Sequence, residues 1–257
     1  MLCSIITFPC AKEADMKRTH SIFSNEPLVI LVLTLLWNQL VYCGARLIAG
    51  GWQHYDLTTA ADQRIPFLPW TVVIYFGCYL FWCVNYYLCA TQTNFRHFVK
   101  PDELTAQSVS ERNRFFCADA LSKAICLFFF LVIPTTNVRP EITGTGLWAD
   151  LMRFLYQVDA ADNLFPSIHC LVSWLCWIGV RRRRDLPAFY RWFSLLAAVA
   201  VCLSTLTTRQ HVLADVFGGI VLAEFCYLIA GFPRICQLYS RFLQWLLDKI
   251  NTQTKKY

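Results

Sequence analysis

The sequence predicts an all-α protein that crosses a membrane several times. Of its 257 residues, 56% are hydrophobic and 16% are aromatic, and the mean hydropathy is +0.42. Apolar runs close to 20 residues long recur along the chain, which is about the length that a helix needs to cross the hydrocarbon core. Composition and run length together predict a polytopic membrane protein with one domain.

Six apolar runs define the predicted transmembrane helices. They extend from Pro27 to Ala49, Pro66 to Ala90, Phe115 to Pro134, Pro166 to Val180, Phe189 to Leu206 and His211 to Gly231. The fourth run is short, and its start depends on whether the turn around His169 is counted. We therefore predict a six-span membrane domain over residues 27–231, a cytoplasmic leader over residues 1–26 and a cytoplasmic amphipathic tail over residues 232–257.

Two further segments have the pattern of amphipathic helices that lie in the membrane interface. Residues 147–158 carry an apolar stripe opposite Asp150, Arg153 and Gln157, and residues 235–246 carry a similar stripe in the tail. The first of these segments leads into the loop before His169. It is either one wall of a path by which lipid reaches that loop or a plain packing helix.

The distribution of basic residues predicts the orientation. Of the 23 Lys and Arg residues, 17 lie in the leader, the second and fourth loops and the tail, whereas five lie on the opposite side. The positive-inside rule then places both termini in the cytoplasm. The net charge of +6 thus reflects topology and not nucleic-acid binding, and we interpret the basic run at residues 181–184 as a contact with anionic lipids.

Two histidine segments carry the predicted chemistry. They are Phe165-Pro166-Ser167-Ile168-His169 and Thr208-Arg209-Gln210-His211-Val212-Leu213-Ala214-Asp215. Two apolar runs separate them, so both histidines are expected at the same face of the membrane, on the extracytoplasmic side.

The spacing within these segments indicates a base held by an acid at the start of a helix. Asp215 follows His211 by four residues, one helical turn, where a carboxylate can fix the tautomer of an imidazole. Pro166 suits the first position of a helix, which would place His169 in the opening turn, and His211 would open the sixth span.

Helix N-termini favour anions, and Arg139 and Arg209 are suited to binding phosphate. No metal is predicted, since the sequence lacks C-x-x-C pairs and the Asp/Asn array expected for magnesium.

The pattern Pro-Ser-x-His, then about forty residues, then Arg-Gln-His-x-x-x-Asp followed by Gly-Gly, resembles the type 2 phosphatidic acid phosphatase superfamily. The second motif is most similar to the branch that includes inositol phosphorylceramide synthase-like phosphotransferases. This resemblance implies that His211 is the nucleophile, Asp215 its orienting acid and His169 the general acid. It also implies that three side chains hold the phosphoryl oxygens, namely Ser167, Arg139 and Arg209.

The chain departs from the family pattern at two places. The first family motif has Lys seven residues before an Arg-Pro pair, but Val132 stands there in this sequence. The third motif has Ser-Arg six residues before the nucleophile, whereas Ser204 is followed here by Thr205.

Several polar residues admit two interpretations. Arg139 is either a phosphate ligand or an anchor for lipid headgroups. Asp162 and Asn163 either contact the substrate or cap the loop before His169. Asp119 and Lys123, four residues apart on the third span, are favoured as a structural ion pair over a proton relay.

The sequence therefore predicts a membrane lipid phosphatase or phosphotransferase that uses no cofactor. Its expected partners are a lipid phosphate or diphosphate and the bilayer itself, without nucleic acid. The predicted location is the plasma membrane, with the site facing the lumen if the protein resides in an internal membrane. The alternative is a lipid transporter or a non-catalytic lipid-binding protein, but a transporter is expected to carry polar or broken-helix sites near mid-bilayer.

Overall fold

Helices make up most of the structure. The computed structural model describes the backbone of residues 26–91 and 101–254 and the side chains of residues 26–91 and 111–250. Its helices are α1 (Glu26–Ala49), α2 (Ala60–Gln63), α3 (Val72–Ala90), α4 (Pro101–Val132), α5 (Leu147–Val158), α6 (Ile168–Arg181), α7 (Ala188–Thr207), α8 (Leu213–Ile229) and α9 (Pro233–Thr254). A 3₁₀ turn at Pro69–Thr71 leads into α3, and two short strands, β1 (Tyr55–Asp56) and β2 (Thr135–Thr136), pair in parallel.

Each of the six predicted spans coincides with a helix, but six spans are not confirmed. Among the described residues, four helical segments are long and apolar enough to cross a membrane: Glu26–Ala49, Pro69–Ala90, Glu111–Val132 and Ala188–Thr207. A fifth is possible only if α8 and α9 count together, although the chain bends by 91° between them. Helix α6 has 14 residues and thus rises about 21 Å, which is less than the roughly 30 Å of a hydrocarbon core.

Arginine contacts tie the helices together at the end of the bundle that carries most of the basic residues. Arg112 of α4 pairs with Glu26 at 3.0 Å, and Arg181 of α6 pairs with Glu224 of α8 at 2.6 Å. At this end α9 packs on α4 with Leu243 and Leu247 buried, while the chain turns away from the axis of α8. The predicted amphipathic tail is therefore a helix, whereas residues 1–25 of the predicted leader lie outside the described residues.

A buried ion pair lies in the bundle core between the two ends. Lys123 contacts the carboxylate of Asp119 one turn away on α4, and the hydroxyl of Tyr86 on α3 donates to the same carboxylate at 2.5 Å. Both charged side chains are 2% exposed. An isolated buried charge would be costly, so this three-residue cluster satisfies the structural interpretation of the pair.

Helix α5 has two apolar faces with different surroundings. Met152 and Leu155 are buried against Val72 and Tyr75 at the start of α3. Apolar residues on the other side, including Phe154, are about half exposed. The helix therefore serves as a packing element and still presents an apolar surface, while its role in a lipid path stays a prediction.

Helices α6 and α8 approach each other closely because glycine stands at their contact. A methyl group built on Gly219 would lie 2.6 Å from the carbonyl oxygen of Ser167 and 3.1 Å from the backbone nitrogen of Leu171. Real side chains do not tolerate the first distance, and the obstructing atom belongs to the backbone. The absence of a side chain at residue 219 therefore sets the spacing of these two helices.

We expect Gly219→Ala to lower stability by about 1–3 kcal/mol, because the added methyl group overpacks a backbone contact. Each kcal/mol corresponds to about 2–4 °C in the thermal midpoint of a protein of this size. The matched control is Gly77→Ala on α3, where nothing lies within 4 Å of the new Cβ. Thermal unfolding in detergent should show a loss for Gly219→Ala alone, and equal shifts in both variants would mean that Gly219 does not set the helix spacing.

Candidate functional site

The loop before the first histidine segment is held by a threonine of the short β-pair. The hydroxyl of Thr135 in β2 accepts hydrogen bonds from the backbone N–H groups of Leu164 at 3.2 Å and Phe165 at 2.8 Å. Thr135 is buried, and β2 is itself fixed by pairing with β1. The loop after α4 therefore determines where the chain enters α6.

A serine cap places the first histidine. The hydroxyl of Ser167 accepts a hydrogen bond from the backbone N–H of Cys170 at 3.3 Å. The prediction that Pro166 takes the first helical position is wrong: α6 begins at Ile168, because Ser167 is the residue that caps it. His169 still lies in the first turn, as the second residue of the helix.

The second histidine follows a tight reversal at the end of α7. The carbonyl oxygen of Thr205 accepts from the backbone N–H groups of Gln210 at 3.0 Å and His211 at 3.1 Å. Arg209 adopts a positive φ of 57°, which is uncommon for a residue with a side chain. Helix α8 then begins at Leu213, two residues later than predicted, because this reversal separates His211 from the helix.

His211 and Asp215 form a buried hydrogen-bonded pair. Nδ1 of His211 lies 3.2 Å from Oδ2 of Asp215, and the same oxygen accepts the backbone N–H of Val212 at 3.0 Å. The two side chains are only 7% and 1% exposed. A carboxylate at Nδ1 holds a proton on that nitrogen, so the lone pair of the neutral ring is on Nε2.

The electrostatic surroundings favour the charged form of His211. Burial alone lowers its pKa, but the hydrogen bond and the negative charge of Asp215 raise it, and Cys170 and Asp159 add to this effect. The net result is a pKa above the ordinary histidine value of 6.5. The imidazolium is therefore the favoured form at pH 6.5.

The close contact of α6 with α8 brings the two histidines together. Their ring centroids are 5.9 Å apart, with an interplanar angle of 53°. The backbone N–H of Ser167 donates to the carbonyl oxygen of Asp215 at 3.1 Å, so the two histidine segments are also joined through the main chain. A single phosphoryl group is small enough to contact both rings.

Arg139 lies beside the second histidine segment, where it pairs with Gln210. One Nη of Arg139 donates to the carbonyl oxygen of Asp159 at 2.5 Å, and the other donates to Oε1 of Gln210. The guanidinium also lies over the ring of Tyr156, 4.9 Å from its centroid. Within the described part of the chain, Nε of Arg139 and Nε2 of Gln210 have no acceptor, so two buried donors remain for a ligand.

The other two phosphate-ligand candidates have structural partners. Arg209 donates to the carbonyl oxygens of Asp62 at 2.6 Å and Ile65 at 2.5 Å. These bonds use two of its five N–H donors and tie the second histidine segment to the segment between α1 and α3. Ser167 is fully buried, and its hydroxyl already caps α6 but keeps a proton to donate.

Asp162 and Asn163 contact α1. Asp162 forms an ion pair with Nε of Arg46 at 3.1 Å, and Asn163 donates to the carbonyl oxygen of Tyr42 at 3.4 Å. Asn163 also adopts a positive φ of 54° in the loop. These contacts match the loop-capping interpretation, and a substrate contact stays a prediction.

Two carboxylates of the site are not predicted by the sequence motifs. The first is Asp159, which accepts from the hydroxyl of Tyr42 at 2.6 Å and from that of Tyr75. Burial alone raises its pKa, but the nearby His169, these two hydrogen bonds and His211 lower the pKa below the ordinary aspartate value. Asp159 is therefore an ionised group next to both histidines.

The second such carboxylate, Asp62, anchors the chain after His211. Its Oδ1 accepts the backbone N–H of Leu213 at 2.7 Å, and its Oδ2 accepts from the N–H and hydroxyl of Thr59. The spacing of Thr59 and Asp62 is a local sequence signal for a capping box. The contact of Asp62 with Leu213, which is distant in sequence, has no such signal.

The positive charge at the site comes from side chains and helix ends. Across the part of the chain that the structure describes, no three His, Cys, Asp or Glu residues cluster in a way that could hold a metal ion. The cationic groups at the site are arginine, His211 and the two helix N-termini.

A family comparison covers this region. Residues 104–229 match the model of the PAP2 superfamily. The matched segment runs from α4 to the end of α8 and contains both histidines and Asp215. It supports the superfamily that the motifs resemble, and with it a phosphatase-type activity. The PAP2 superfamily match and the apolar helices are consistent with an integral membrane protein.

The family match does not extend to the inositol phosphorylceramide synthase-like branch. Comparison with curated proteins gave no significant match.

We expect the imidazole of His211 to titrate above pH 6.5 in the folded protein and Asp215→Asn to lower that midpoint, since the variant loses the carboxylate charge. Nitrogen-15 histidine spectra, assigned with His211→Ala, provide the measurement. The raised pKa also implies a stability contribution that is fully present below the unfolded value of about 6.5 and lost as the pH rises through the folded value. A midpoint in Asp215→Asn equal to that of the wild type would contradict the pairing.

Proposed function

We propose that this chain cleaves a phosphate ester or anhydride of a membrane lipid through a phosphohistidine intermediate. The observation that carries the proposal is the 5.9 Å separation of the rings of His169 and His211, one of which is hydrogen-bonded to a buried carboxylate. Two imidazoles at this spacing allow one to attack phosphorus while the other serves the leaving oxygen.

The first half-reaction forms the phosphohistidine. Nε2 of neutral His211 attacks phosphorus, an N–P bond forms and the P–O bond to the leaving group breaks. His169, in its protonated form, gives its proton to the departing oxygen. Asp215 keeps the proton of His211 on Nδ1 and stabilises the positive charge that the ring gains on bonding to phosphorus.

The second half-reaction returns the enzyme to its starting state. His169, now neutral, removes a proton from an acceptor hydroxyl, whose oxygen attacks phosphorus and breaks the N–P bond. With water as acceptor the product is inorganic phosphate or a phosphomonoester, and the protein is a phosphatase. With a lipid or polyol hydroxyl as acceptor it is a phosphotransferase.

Fixed positive charge at the site supports phosphate binding without a metal or cofactor. Arg139 provides a charged donor at Nε, and Gln210 provides Nε2, neither of which is satisfied by the described residues. The N-termini of α6 and α8 add further N–H groups and the positive ends of two helix dipoles. We include Ser167 and Arg209 among the phosphate ligands. Arg209 would bind through the N–H donors that do not contact the carbonyl oxygens of Asp62 and Ile65.

The second motif, Arg-Gln-His-x-x-x-Asp, leads us to place the chain in the inositol phosphorylceramide synthase-like branch. That placement predicts an alcohol acceptor. The catalytic domain would comprise residues 27–231, with the amphipathic tail on the cytoplasmic surface. A lipid donor agrees with the apolar surface that flanks the site, including the outer face of α5.

We expect the two histidine variants to fail differently on a panel of lipid phosphates and diphosphates offered with and without candidate alcohols. His211→Ala should abolish turnover of every substrate, because no phosphoenzyme can form. His169→Ala should lose about 10²–10⁴-fold on lipid alkoxide esters but far less on a nitrophenyl ester, whose leaving group needs no proton. Initial rates on purified protein, measured with and without a chelator, give these values.

The matched control is His54→Ala, because His54 lies between α1 and β1 and its contact is with the carbonyl oxygen of Trp52. It should retain activity. Equal losses on both kinds of ester in His169→Ala and His211→Ala would show that the assigned roles are wrong. Activity that disappears with the chelator and returns with magnesium or zinc would exclude the metal-free mechanism, and no turnover across the panel would favour a non-catalytic lipid-binding protein.

We also propose that the site faces away from the cytoplasm, in the plasma membrane or on the lumenal side of an internal membrane. The support is that 17 of the 23 basic residues lie in the leader, the second and fourth loops and the tail, which the sequence assigns to the cytoplasmic side. In a background without reactive native thiols, Thr145→Cys should react with an impermeant thiol reagent on intact cells, whereas Arg184→Cys should not. Both positions are exposed, so the reverse labelling pattern would place the site in the cytoplasm.

A further inference from the structure

The hydroxyl of Tyr75 contacts an acid on one side and a catalytic base on the other. It donates to Oδ2 of Asp159 and lies 3.2 Å from Nδ1 of His169. The Tyr75 ring is fully buried, and its centroid is 4.5 Å from that of His169 at an angle of 34°. Tyr75 thus contacts the imidazole through both its hydroxyl and its ring.

The available protons determine the direction of these hydrogen bonds. Asp159 is an acceptor, and the hydroxyl of Tyr42 already donates to its Oδ1 at 2.6 Å. The single phenolic proton of Tyr75 therefore goes to Oδ2, and the lone pairs of its oxygen accept the Nδ1 proton of His169. This arrangement leaves Nε2 of His169 as the nitrogen that exchanges a proton with a ligand.

The groups around His169 identify Asp159 as the source of negative charge. Helix α3 presents Tyr75, Tyr79 and Trp82, and the hydroxyl of Tyr79 lies 3.5 Å from Nε2. The loop before α8 presents His211, which is cationic or neutral, and the loop after α5 presents Asp159. The hydroxyl of Tyr75 lies between Asp159 and His169, so the carboxylate can stabilise the imidazolium of His169 by its charge without accepting the Nδ1 proton directly.

We propose that Tyr75 is a positioning residue that links Asp159 to His169, so that Nε2 of His169 carries the proton delivered to the leaving oxygen. The inference rests on the proposed function, because it assigns His169 the role of general acid. Each histidine of the site would then have its own carboxylate. His211 contacts Asp215 directly, whereas His169 reaches Asp159 through Tyr75.

The first test uses Tyr75→Phe with two substrates that differ in leaving group. Removing the hydroxyl should lower kcat on a lipid alkoxide ester by about 10-fold to 100-fold, a part of the effect of general acid catalysis. The value of kcat on a nitrophenyl ester should stay within about threefold, and KM should change little for either. Asp159→Asn should give the same pattern. Asp159→Glu, which keeps the carboxylate, should have a higher kcat on the lipid alkoxide ester than Asp159→Asn.

Tyr227→Phe is the matched control. Tyr227 is a buried tyrosine that donates to the carboxylate of Glu111 at 2.8 Å, at the opposite end of the bundle. Its loss should affect both substrates equally. In a His169→Ala background, Tyr75→Phe should cause no further loss on the lipid ester. Equal loss on both substrates in Tyr75→Phe would overturn the inference and leave only a packing role for this residue.

The second test does not depend on turnover. Nitrogen-15 histidine spectra, assigned with His169→Ala, should show neutral His169 protonated on Nδ1 in the wild type and a mixture of tautomers in Tyr75→Phe. An unchanged tautomer in the variant would overturn the inference even if the enzyme is active. If the wild type turns over none of the substrates, the proposed function fails, while these spectra still decide whether Tyr75 orients the ring.

Discussion

The contact between α6 and α8 is the constraint on which the site depends. Each helix begins close to a histidine, so the distance between the helix starts fixes the distance between the imidazoles. Gly219 permits that distance, since any side chain there would meet the carbonyl oxygen of Ser167. The main-chain bond from Ser167 to Asp215 then connects the acid of one segment to the cap of the other. The backbone atoms of Ser167, Asp215 and Gly219 therefore determine both how α6 packs on α8 and how far apart the two histidines lie.

Loops outside the bundle complete the geometry that this contact begins. Asp62 holds the chain after His211, and Thr135 holds the chain before Ser167. Both anchors come from segments far away in sequence, and both use a polar side chain to satisfy backbone N–H groups that would otherwise be buried without partners. Such bonds restrict the freedom of the loops before any ligand binds, which reduces the entropy lost when a ligand orders the site.

The histidine pair and Asp215 could be found from sequence because their signals are local. A spacing of four residues is one helical turn, and two apolar runs return the chain to the same face. Local periodicity also located the helices and the amphipathic patterns of α5 and α9. It could not find Asp159 or Tyr75, because a tyrosine on an apolar helix looks like any other aromatic packing residue until the fold shows what its hydroxyl contacts. It also predicted six spans, whereas four or at most five helical segments of the described residues have the length and apolar composition to cross a membrane, so the count of six is not confirmed. A run of apolar residues does not reveal where capping and reversals shorten a helix.

The length of α6 bears on where the reaction takes place in the bilayer. From Ile168 to Arg181 the helix rises about 21 Å, whereas the hydrocarbon core is roughly 30 Å thick. If the guanidinium of Arg181 lies at one surface of the core, His169 therefore lies roughly 9 Å below the other surface. A lipid phosphate that meets these imidazoles must descend below its usual level, or the bilayer must become thinner around the protein. A phosphate that descends gives up water that its neighbours in the leaflet keep. Under the proposed function, the arginine and the helix N-termini would replace that hydration, and the scarcity of competing water there would favour transfer to another hydroxyl over hydrolysis.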